Sequence, residues 1–121
     1  MIRTLVLGAS PKEDRASYDA VMKLRRHGHP VFAVGLSKGK VGDVEINDEI
    51  SGIPGFRPET ITLYLGKARQ ESFQELILNS GANRVIFNPG AENPELASIL
   101  TSKGIEAIEA CTLTMLAVGM Y

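Results

Sequence analysis

The residues best suited to chemistry in this chain stand near its start, at Gly8, Ala9, Ser10, Arg15 and Ser17. An apolar run stops at Gly8, and a helical pattern opens at Ser17 after a polar loop. This order is typical of a phosphate-binding turn, in which a glycine lets the ligand approach the backbone. The free N–H groups at the start of the following helix favour an anion there. A branched side chain at Gly8 is therefore expected to abolish binding and to leave the chain folded.

The motif is incomplete, and a second interpretation stays open. Of the three glycines in the dinucleotide-binding pattern G-x-G-x-x-G, only Gly8 is present, because Ser10 and Glu13 occupy the other two positions. Gly8 alone also fits a tight turn that binds nothing. The start of the chain therefore predicts a phosphate site, with a plain turn as the alternative.

A second candidate position follows the next apolar run, Pro30 to Leu36. Proteins that bind NAD usually present an acidic residue there, which accepts hydrogen bonds from the ribose hydroxyls. This chain has Ser37, Lys38 and Lys40 instead, with no acid before Asp43. Lysines beside glycines suit a phosphomonoester on the ribose, as in NADP or coenzyme A (CoA). A solvated basic loop is the alternative, and NAD is disfavoured under both interpretations.

The elements that position these residues follow a regular alternation of apolar strands and amphipathic helices. Helices are predicted after the first, third, fourth and fifth strands, and three of the four end at a glycine. The segment Val44 to Phe56 is too short and too interrupted for a full helix, so an extended piece and a helical turn near Asp48 to Ile50 are predicted there. The five predicted strands are Ile2 to Leu7, Pro30 to Leu36, Thr60 to Leu65, Arg84 to Phe87 and Ile105 to Ile108.

The alternation indicates one α/β domain over residues 1–121. We expect a doubly wound parallel five-stranded Rossmann-like sheet of order 3-2-1-4-5, with helices on both faces. Ligands of such sheets bind beyond the carboxyl ends of the strands, at the switch point, here between the first and fourth strands. The segments that follow the later strands are therefore further candidates for the site, namely Gly66 to Arg69, Asn88, Pro89, Gly90 and Cys111.

Composition and charge narrow the classes of partner. Thirteen basic and fourteen acidic side chains give a net charge of -1, so no global field attracts nucleic acid or a membrane. A single cysteine excludes an internal disulfide and a cysteine-based metal site. Neither a signal peptide nor a long apolar stretch is present, and the cytoplasm is the expected location. A protein partner or a second copy of the chain stays possible.

In their order and spacing, these residues resemble the small single-domain CoA-binding proteins. The Rossmann domain of that family is similar to the CoA-binding domain of the succinyl-CoA synthetase α subunit, and the resemblance covers essentially the whole chain. The segments that carry it are Gly8-Ala9-Ser10-Pro11, Arg15, Ser17-Tyr18, Leu24, the His27 to Val31 junction, Gly42, Asn79 to Ala82, Gly90, and Lys103 to Ile105 with Cys111.

The resemblance implies contacts for the residues of the first loop. Gly8 and Ser10 would meet the pyrophosphate of the coenzyme. Arg15 and Ser17 would support that loop at the start of the helix. The residues after Gly8 would therefore form the centre of the CoA site.

The resemblance also implies that Lys38 or Lys40 faces the ribose phosphate. The chain departs from the family pattern in two places. After the second strand, Gly35 to Lys38 stands where relatives have a proline and a glycine-bearing turn. Near the end of the fourth strand, Phe87-Asn88-Pro89 stands where relatives tend to show a Trp or a Gln.

The expected function is non-catalytic binding of CoA or an acyl-CoA, because catalysis needs a positioned acid, base or nucleophile. Glu92 is the carboxylate that closely follows the fourth strand, and an acid is ordinary near a helix start. Both histidines, His27 and His29, lie at the end of the first helix and away from the predicted crevice. A small NADP-binding reductase or reductase subunit is the alternative, and a scaffold that binds protein is a third.

Two hypotheses describe the role of Cys111. It follows the fifth strand at the predicted start of the last helix, where the helix dipole lowers the pKa of a thiol. It would then lie near the thiol end of bound CoA. The alternative is a small apolar residue of the core, as free cysteines often are.

Overall fold

The computed structural model describes residues 1–48 and 55–121. The helical turn predicted near Asp48 to Ile50 lies outside the described residues beyond Asp48 itself. Within them the strands are β1 (Thr4–Leu7), β2 (Val31–Val34), β3 (Gly39–Val41), β4 (Val44–Asn47), β5 (Thr60–Leu63), β6 (Arg84–Phe87) and β7 (Glu106–Glu109). The helices are α1 (Ala16–Arg26), α2 (Lys67–Gln70), α3 (Gln74–Asn79), α4 (Pro94–Ser102) and α5 (Thr112–Ala117), with a 3-10 turn at Glu71–Phe73.

The strands form one seven-stranded sheet of order β3-β4-β2-β1-β5-β6-β7. All neighbours are parallel except β3 and β4, which form an antiparallel hairpin at one edge. The predicted α/β class with a mostly parallel sheet is therefore confirmed. The predicted count of five strands and their order 3-2-1-4-5 are wrong.

Two strands were not predicted, β3 (Gly39–Val41) and β4 (Val44–Asn47), and the error in the strand order comes from β4. It was predicted only as an extended piece, but it pairs in parallel with β2, with Ala33 opposite Ile46. Val44 and Ile46 are buried and Glu45 is exposed, so the short strand presents one apolar face to the core. Because β4 takes the place beside β2, the strand from Thr60 pairs with β1 instead. The switch point therefore lies between β1 and β5.

Helices cover both faces of the sheet, as predicted. Successive side chains of a strand point to opposite faces, so Leu5 and Leu7 pack on one side and Val6 on the other. Leu96 of α4 and Ile77 of α3 belong to the first cluster. The second cluster contains, among others, Val21, Leu24 and Leu116 from α1 and α5. Cover on both faces explains why the central strands β1 and β5 are buried along their whole length.

Two helix starts match the prediction and one does not. Asn93 caps α4, since its Oδ1 accepts a hydrogen bond from the Leu96 N–H (3.2 Å), and Pro94 follows. Cys111 is the N-cap of α5. Ser17 was predicted as the cap of α1, but Arg15 holds that position and Ser17 lies buried in the first turn. No helix within the described residues is long and apolar enough to cross a membrane.

Candidate functional site

A cavity of about 170 Å³ opens at the carboxyl edge of the sheet, beside the ends of β1 and β5. We call it the glycine-loop cavity. Five residues predicted for the site line it, namely Gly8, Ala9, Ser10, Arg15 and Ser37. Its other lining residues are Lys12, Leu36, Tyr64 and Arg69.

Packing within the protein requires a glycine at position 8, whether or not a ligand binds. Its φ is +95°, and a Cβ there would lie 2.7 Å from the carbonyl carbon of Tyr64 and 2.8 Å from its oxygen. The space that a side chain would occupy is therefore filled by the backbone that follows β5. We therefore expect a branched residue at Gly8 to destabilise the fold as well as to prevent binding.

The ends of β1 and β2 are joined closely at the cavity. The N–H groups of Gly8 and Ala9 both donate to the carbonyl oxygen of Val34, at 2.8 and 2.9 Å. A Cβ at Gly35 would overlap the Ala9 carbonyl oxygen, so the two segments are in backbone contact. These bonds use the first two N–H groups of the loop. The next one, at Ser10, has no hydrogen-bond partner within residues 1–48 and 55–121.

The start of α1 is also open towards solvent. Arg15 is the N-cap and makes no side-chain hydrogen bond to the helix. The N–H groups of the first turn, at Ala16 and Ser17, precede the intrahelical ladder. An open N-terminus of an eleven-residue helix offers donors and a positive dipole end to an anion.

Three cationic side chains, Lys12, Arg15 and Arg69, line the glycine-loop cavity. None of them has an ion-pair partner in the part of the chain that the structure describes. Like charges around one cavity repel each other, and a bound anion would relieve that repulsion. The ion pairs present elsewhere are Arg3–Glu59, Arg25–Asp43, Lys38–Asp48 and Lys67–Glu95.

The two lysines predicted to face a ribose phosphate are not among the residues that line this cavity. Lys38 follows the lining residue Ser37 and pairs with Asp48 (Nζ–Oδ2 3.7 Å). Both side chains of that pair are well exposed, so the pair contributes little stability. Lys40 lies in β3 opposite Glu45 and is exposed.

Tyr64 forms part of the cavity wall just beyond β5. Its hydroxyl is buried and has no hydrogen-bond partner among the described residues. Burial is the main cause that raises the pKa of Tyr64 to about 12, against a smaller lowering by the neighbouring Thr112 side chain. The hydroxyl is therefore protonated at neutral pH.

Asn88, predicted for the site, is fully engaged inside the protein. Its Nδ2 donates to Thr62 Oγ1 (2.6 Å) and to the Leu63 carbonyl (2.9 Å). Its Oδ1 accepts from the Thr112 N–H (2.9 Å), and the hydroxyls of Thr62 and Thr112 bond each other (2.8 Å). We call Asn88, Thr62 and Thr112 the Asn88 cluster. It joins β5, β6 and the start of α5.

The residues after Asn88 form an exposed turn that does not line the glycine-loop cavity. Pro89 and Gly90 are both exposed. The Gly90 N–H donates to Oε1 of Glu92 at 2.9 Å, which ties the turn to itself.

Gln70, which sequence reasoning assigned no role, anchors two loops of the carboxyl edge. It is fully buried, and its Nε2 donates to the carbonyls of Leu65 (2.8 Å) and Ala91 (2.6 Å). Its Oε1 accepts from Nδ2 of Asn93 (2.9 Å). The segment after β5 and the segment after β6 are therefore fastened to each other.

Cys111 is half-buried and lines a separate apolar groove. The hydroxyl of Thr114 is the main cause that lowers the pKa of the Cys111 thiol, followed by the Thr114 backbone N–H. We call this cavity of about 360 Å³ the α5 groove; its lining residues are Ala110, Cys111, Thr114, Met115, Val118 and Met120.

Tyr64 and Arg69 reach the cavity because β5 lies beside β1. The predicted strand order put that strand at the sheet edge, so Tyr64 was given no role and Arg69 was named only as part of the candidate segment Gly66 to Arg69. Arg69 does fall within the stretch after the third predicted strand, and Lys12 lies within the first loop. For Lys12 and Arg69, the signal in the sequence is that each residue lies in a segment that follows a strand. The strand order then decides whether such segments meet at one site.

The parallel sheet, the glycine turn at Gly8 and the cationic cavity at the switch point define a Rossmann-like nucleotide-binding class of protein. A family model described as "CoA binding domain" matches residues 3–117. The chain belongs to this family, and membership supports binding of CoA in general. No group of three or more side chains suited to a metal ion occurs among the described residues.

Solved structures agree with the fold. A crystal structure of an uncharacterized protein is 42% identical, with a TM-score of 0.89, and the match covers 100% of this chain and 98% of that one. A "PH1109 protein redesigned for binding" is 21% identical, with a TM-score of 0.84 and coverage of 98% and 82%. A hypothetical protein from Pyrococcus horikoshii OT3 is 22% identical, with a TM-score of 0.82 and coverage of 93% and 79%. A comparison with curated proteins gives no significant match.

Proposed function

We propose that this protein binds CoA or an acyl-CoA non-catalytically, with the diphosphate in the glycine-loop cavity. The observation that carries the proposal is the convergence of Lys12, Arg15 and Arg69 on a cavity at the open start of α1. A helix N-terminus and several cations together suit a ligand that bears more than one phosphate. The family match gives CoA as the nucleotide.

The 3′-phosphate of CoA would lie on the β2 side of the cavity. In this class of sheet the adenosine ribose lies past the end of the second strand. Ser37 lines the cavity there, and Lys38 and Lys40 come next along the chain. Lys38 is held only by an exposed ion pair, so it is available to a phosphate at low cost.

The absence of catalysis is supported by the chemistry of the cavity wall. Its ionisable groups are three cations and Tyr64, whose pKa of about 12 makes it a poor general base at neutral pH. Such a wall binds and screens phosphate charge.

An acyl group would find an apolar surface in the α5 groove. Met115, Val118 and Met120 line it, and Cys111 stands at the carboxyl edge near Tyr64. Tyr64 also lines the glycine-loop cavity, so it lies between the two. A pantetheine arm that passes Tyr64 would bring its thiol end towards Cys111 and its acyl chain into the groove.

Titration calorimetry with CoA, dephospho-CoA, NADP and NAD tests the nucleotide assignment. We expect CoA to bind most tightly of the four. At a hundred times its Kd, CoA should also raise the free energy of unfolding by about 2.7 kcal/mol. Arg15→Gln should weaken CoA about tenfold, because one charge-assisted contact is lost. Lys103→Gln, an exposed cation at the end of α4, is the matched control and should change nothing.

The outcomes separate the candidate functions. Tighter binding of NADP than of CoA would favour the small reductase. Failure of all four nucleotides to bind would favour a protein-binding scaffold.

The acyl assignment has its own measurement. Burial of each methylene adds about 0.8 kcal/mol, so hexanoyl-CoA should bind more tightly than acetyl-CoA. Met120→Ser, at a residue 73% exposed, should reduce that difference and leave free CoA unaffected. Equal affinity for both acyl-CoAs in the unmodified protein would overturn the acyl assignment and leave the CoA assignment standing.

A further inference from the structure

Arg69 approaches the glycine-loop cavity from a different side than the other cations. Lys12 and Arg15 belong to the segment between β1 and α1, whereas Arg69 lies in α2 after β5. The sheet order places β2 and β5 on opposite sides of β1. The ribose of a bound nucleotide lies towards β2, and its diphosphate lies over the β1 turn. Arg69 is therefore on the diphosphate side of the cavity.

The Arg69 guanidinium is available for a ligand. It has neither an ion pair nor a side-chain hydrogen bond within the described parts of the chain. Lys67, two residues earlier, is bound to Glu95 (Nζ–Oε1 2.7 Å) and does not line this cavity. A guanidinium can donate two parallel hydrogen bonds to one phosphate, which favours arginine at such positions.

The backbone that carries Arg69 is fixed by its neighbour Gln70. Both residues donate their backbone N–H to the Gly66 carbonyl, at 3.0 and 3.2 Å. The buried Gln70 amide then fastens this turn to Leu65, Ala91 and Asn93. A fixed backbone reduces the conformational entropy that Arg69 loses on contact with a ligand.

We propose that Arg69 contacts the diphosphate of the bound nucleotide, and that Gln70 is the positioning residue that holds Arg69 at the cavity. This inference rests on the proposed function, since it names the group that one side of the cavity binds. It adds a specificity role: a ligand without a diphosphate gains nothing from Arg69.

The test compares Arg69→Gln with Lys67→Gln, a matched loss of charge two residues away. Calorimetry is done with CoA, with dephospho-CoA and with adenosine 3′,5′-bisphosphate, which has no diphosphate. We expect Arg69→Gln to weaken CoA and dephospho-CoA about tenfold each, and the bisphosphate less than twofold. Lys67→Gln should leave all three within twofold.

Other results overturn the inference. A loss with CoA and the bisphosphate but not with dephospho-CoA would assign Arg69 to the 3′-phosphate. Equal effects of Arg69→Gln and Lys67→Gln would show that Arg69 acts only through its general positive charge and makes no specific contact with the diphosphate. In both cases the unmodified protein still binds CoA, whereas failure of the unmodified protein to bind CoA refutes the proposed function itself.

The positioning role of Gln70 needs a double-mutant cycle. Gln70→Met should weaken CoA about fivefold in the unmodified background and have no effect in the Arg69→Gln background. If Gln70→Met does not fold, Asn93→Ser replaces it, because serine still caps α4 but removes the donor to Gln70 Oε1. The same loss in both backgrounds would show that Gln70 affects CoA binding independently of Arg69, which overturns the positioning role.

Discussion

Two groups of polar residues lie side by side at the carboxyl edge of the sheet. In the Asn88 cluster, the three side chains satisfy one another and the neighbouring backbone at 2.6–2.9 Å. In the glycine-loop cavity, Lys12, Arg15 and Arg69 line an open space, and no ion pair holds them among the described residues. Asn88 and Thr112 follow strand ends, as do the three cationic residues, whereas Thr62 lies within β5. The difference separates polar residues that lock loops together from polar residues that are unpaired among the described residues and that we propose bind a ligand.

The largest effect is expected at Gly8, where a side chain would overlap the backbone after β5 and would also occupy space proposed for the ligand. Gly8→Val should lower the free energy of unfolding by about 4 kcal/mol or more, through a strained φ and overlap with the Tyr64 backbone. Urea denaturation measures the loss, and Gly66→Ala, where a Cβ meets nothing within 4 Å, is the control. A stable Gly8→Val protein that fails to bind CoA would make Gly8 a ligand residue only.

Asn88→Ala should separate the two groups. It removes three buried hydrogen bonds and should lower the free energy of unfolding by about 3 kcal/mol. Ser10→Ala, in the cavity, should change stability by less than about 0.5 kcal/mol and weaken CoA instead. Thermal denaturation and calorimetry on both variants measure this. If Asn88→Ala weakened CoA binding and Ser10→Ala lowered the free energy of unfolding, the roles given to the two groups would be wrong.

The β2 side of the cavity is tested by the double change Lys38→Gln and Lys40→Gln. We expect CoA to weaken about tenfold and dephospho-CoA less than twofold, because only CoA carries the 3′-phosphate. Calorimetry with the two ligands measures the difference. Equal losses would mean that the lysines act only through general charge.

The smallest effect concerns the thiol near the Asn88 cluster. Thr114 is the main cause that lowers the pKa of Cys111, so Thr114→Val should raise that pKa. The rate of alkylation of the folded protein, measured against pH, should then reach half its maximum at a higher pH than in the unmodified protein. Thr101→Val, on the exposed side of α4, is the control. An unchanged profile would remove Thr114 from this role.

The sequence predicts the elements of this fold better than their arrangement. The glycine ends of three helices and the Asn93–Pro94 helix start are local signals, and each is found in the structure. The strand order depends on Val44–Asn47, four residues whose short alternation also fits an extended loop. Pairing between distant strands is not encoded in a local pattern, so the neighbour of β1 was assigned wrongly.

The candidate site shows the same limit. Gly8, Ala9, Ser10 and Ser37 could be placed near one another because they follow strand ends, and Arg15 because it precedes α1; as ligand contacts all five remain predictions. Asn88 also follows a strand, and its sequence position does not reveal that β5 and α5 use all of its hydrogen-bonding groups. Lys38, Lys40 and Cys111 remain predictions as ligand contacts, and so does the cytoplasmic location.

The Gln70 anchor has a consequence for motion. Its bonds to Leu65, Ala91 and Asn93 cross from one loop to the next, so neither loop can open unless buried hydrogen bonds break. Hydrogen exchange of amides in both loops should therefore report a single opening event with a shared free energy. The Leu96 amide, bonded to Asn93, belongs to that unit. We therefore expect the wall of the glycine-loop cavity that carries Tyr64 and Arg69 to move only when this whole unit opens.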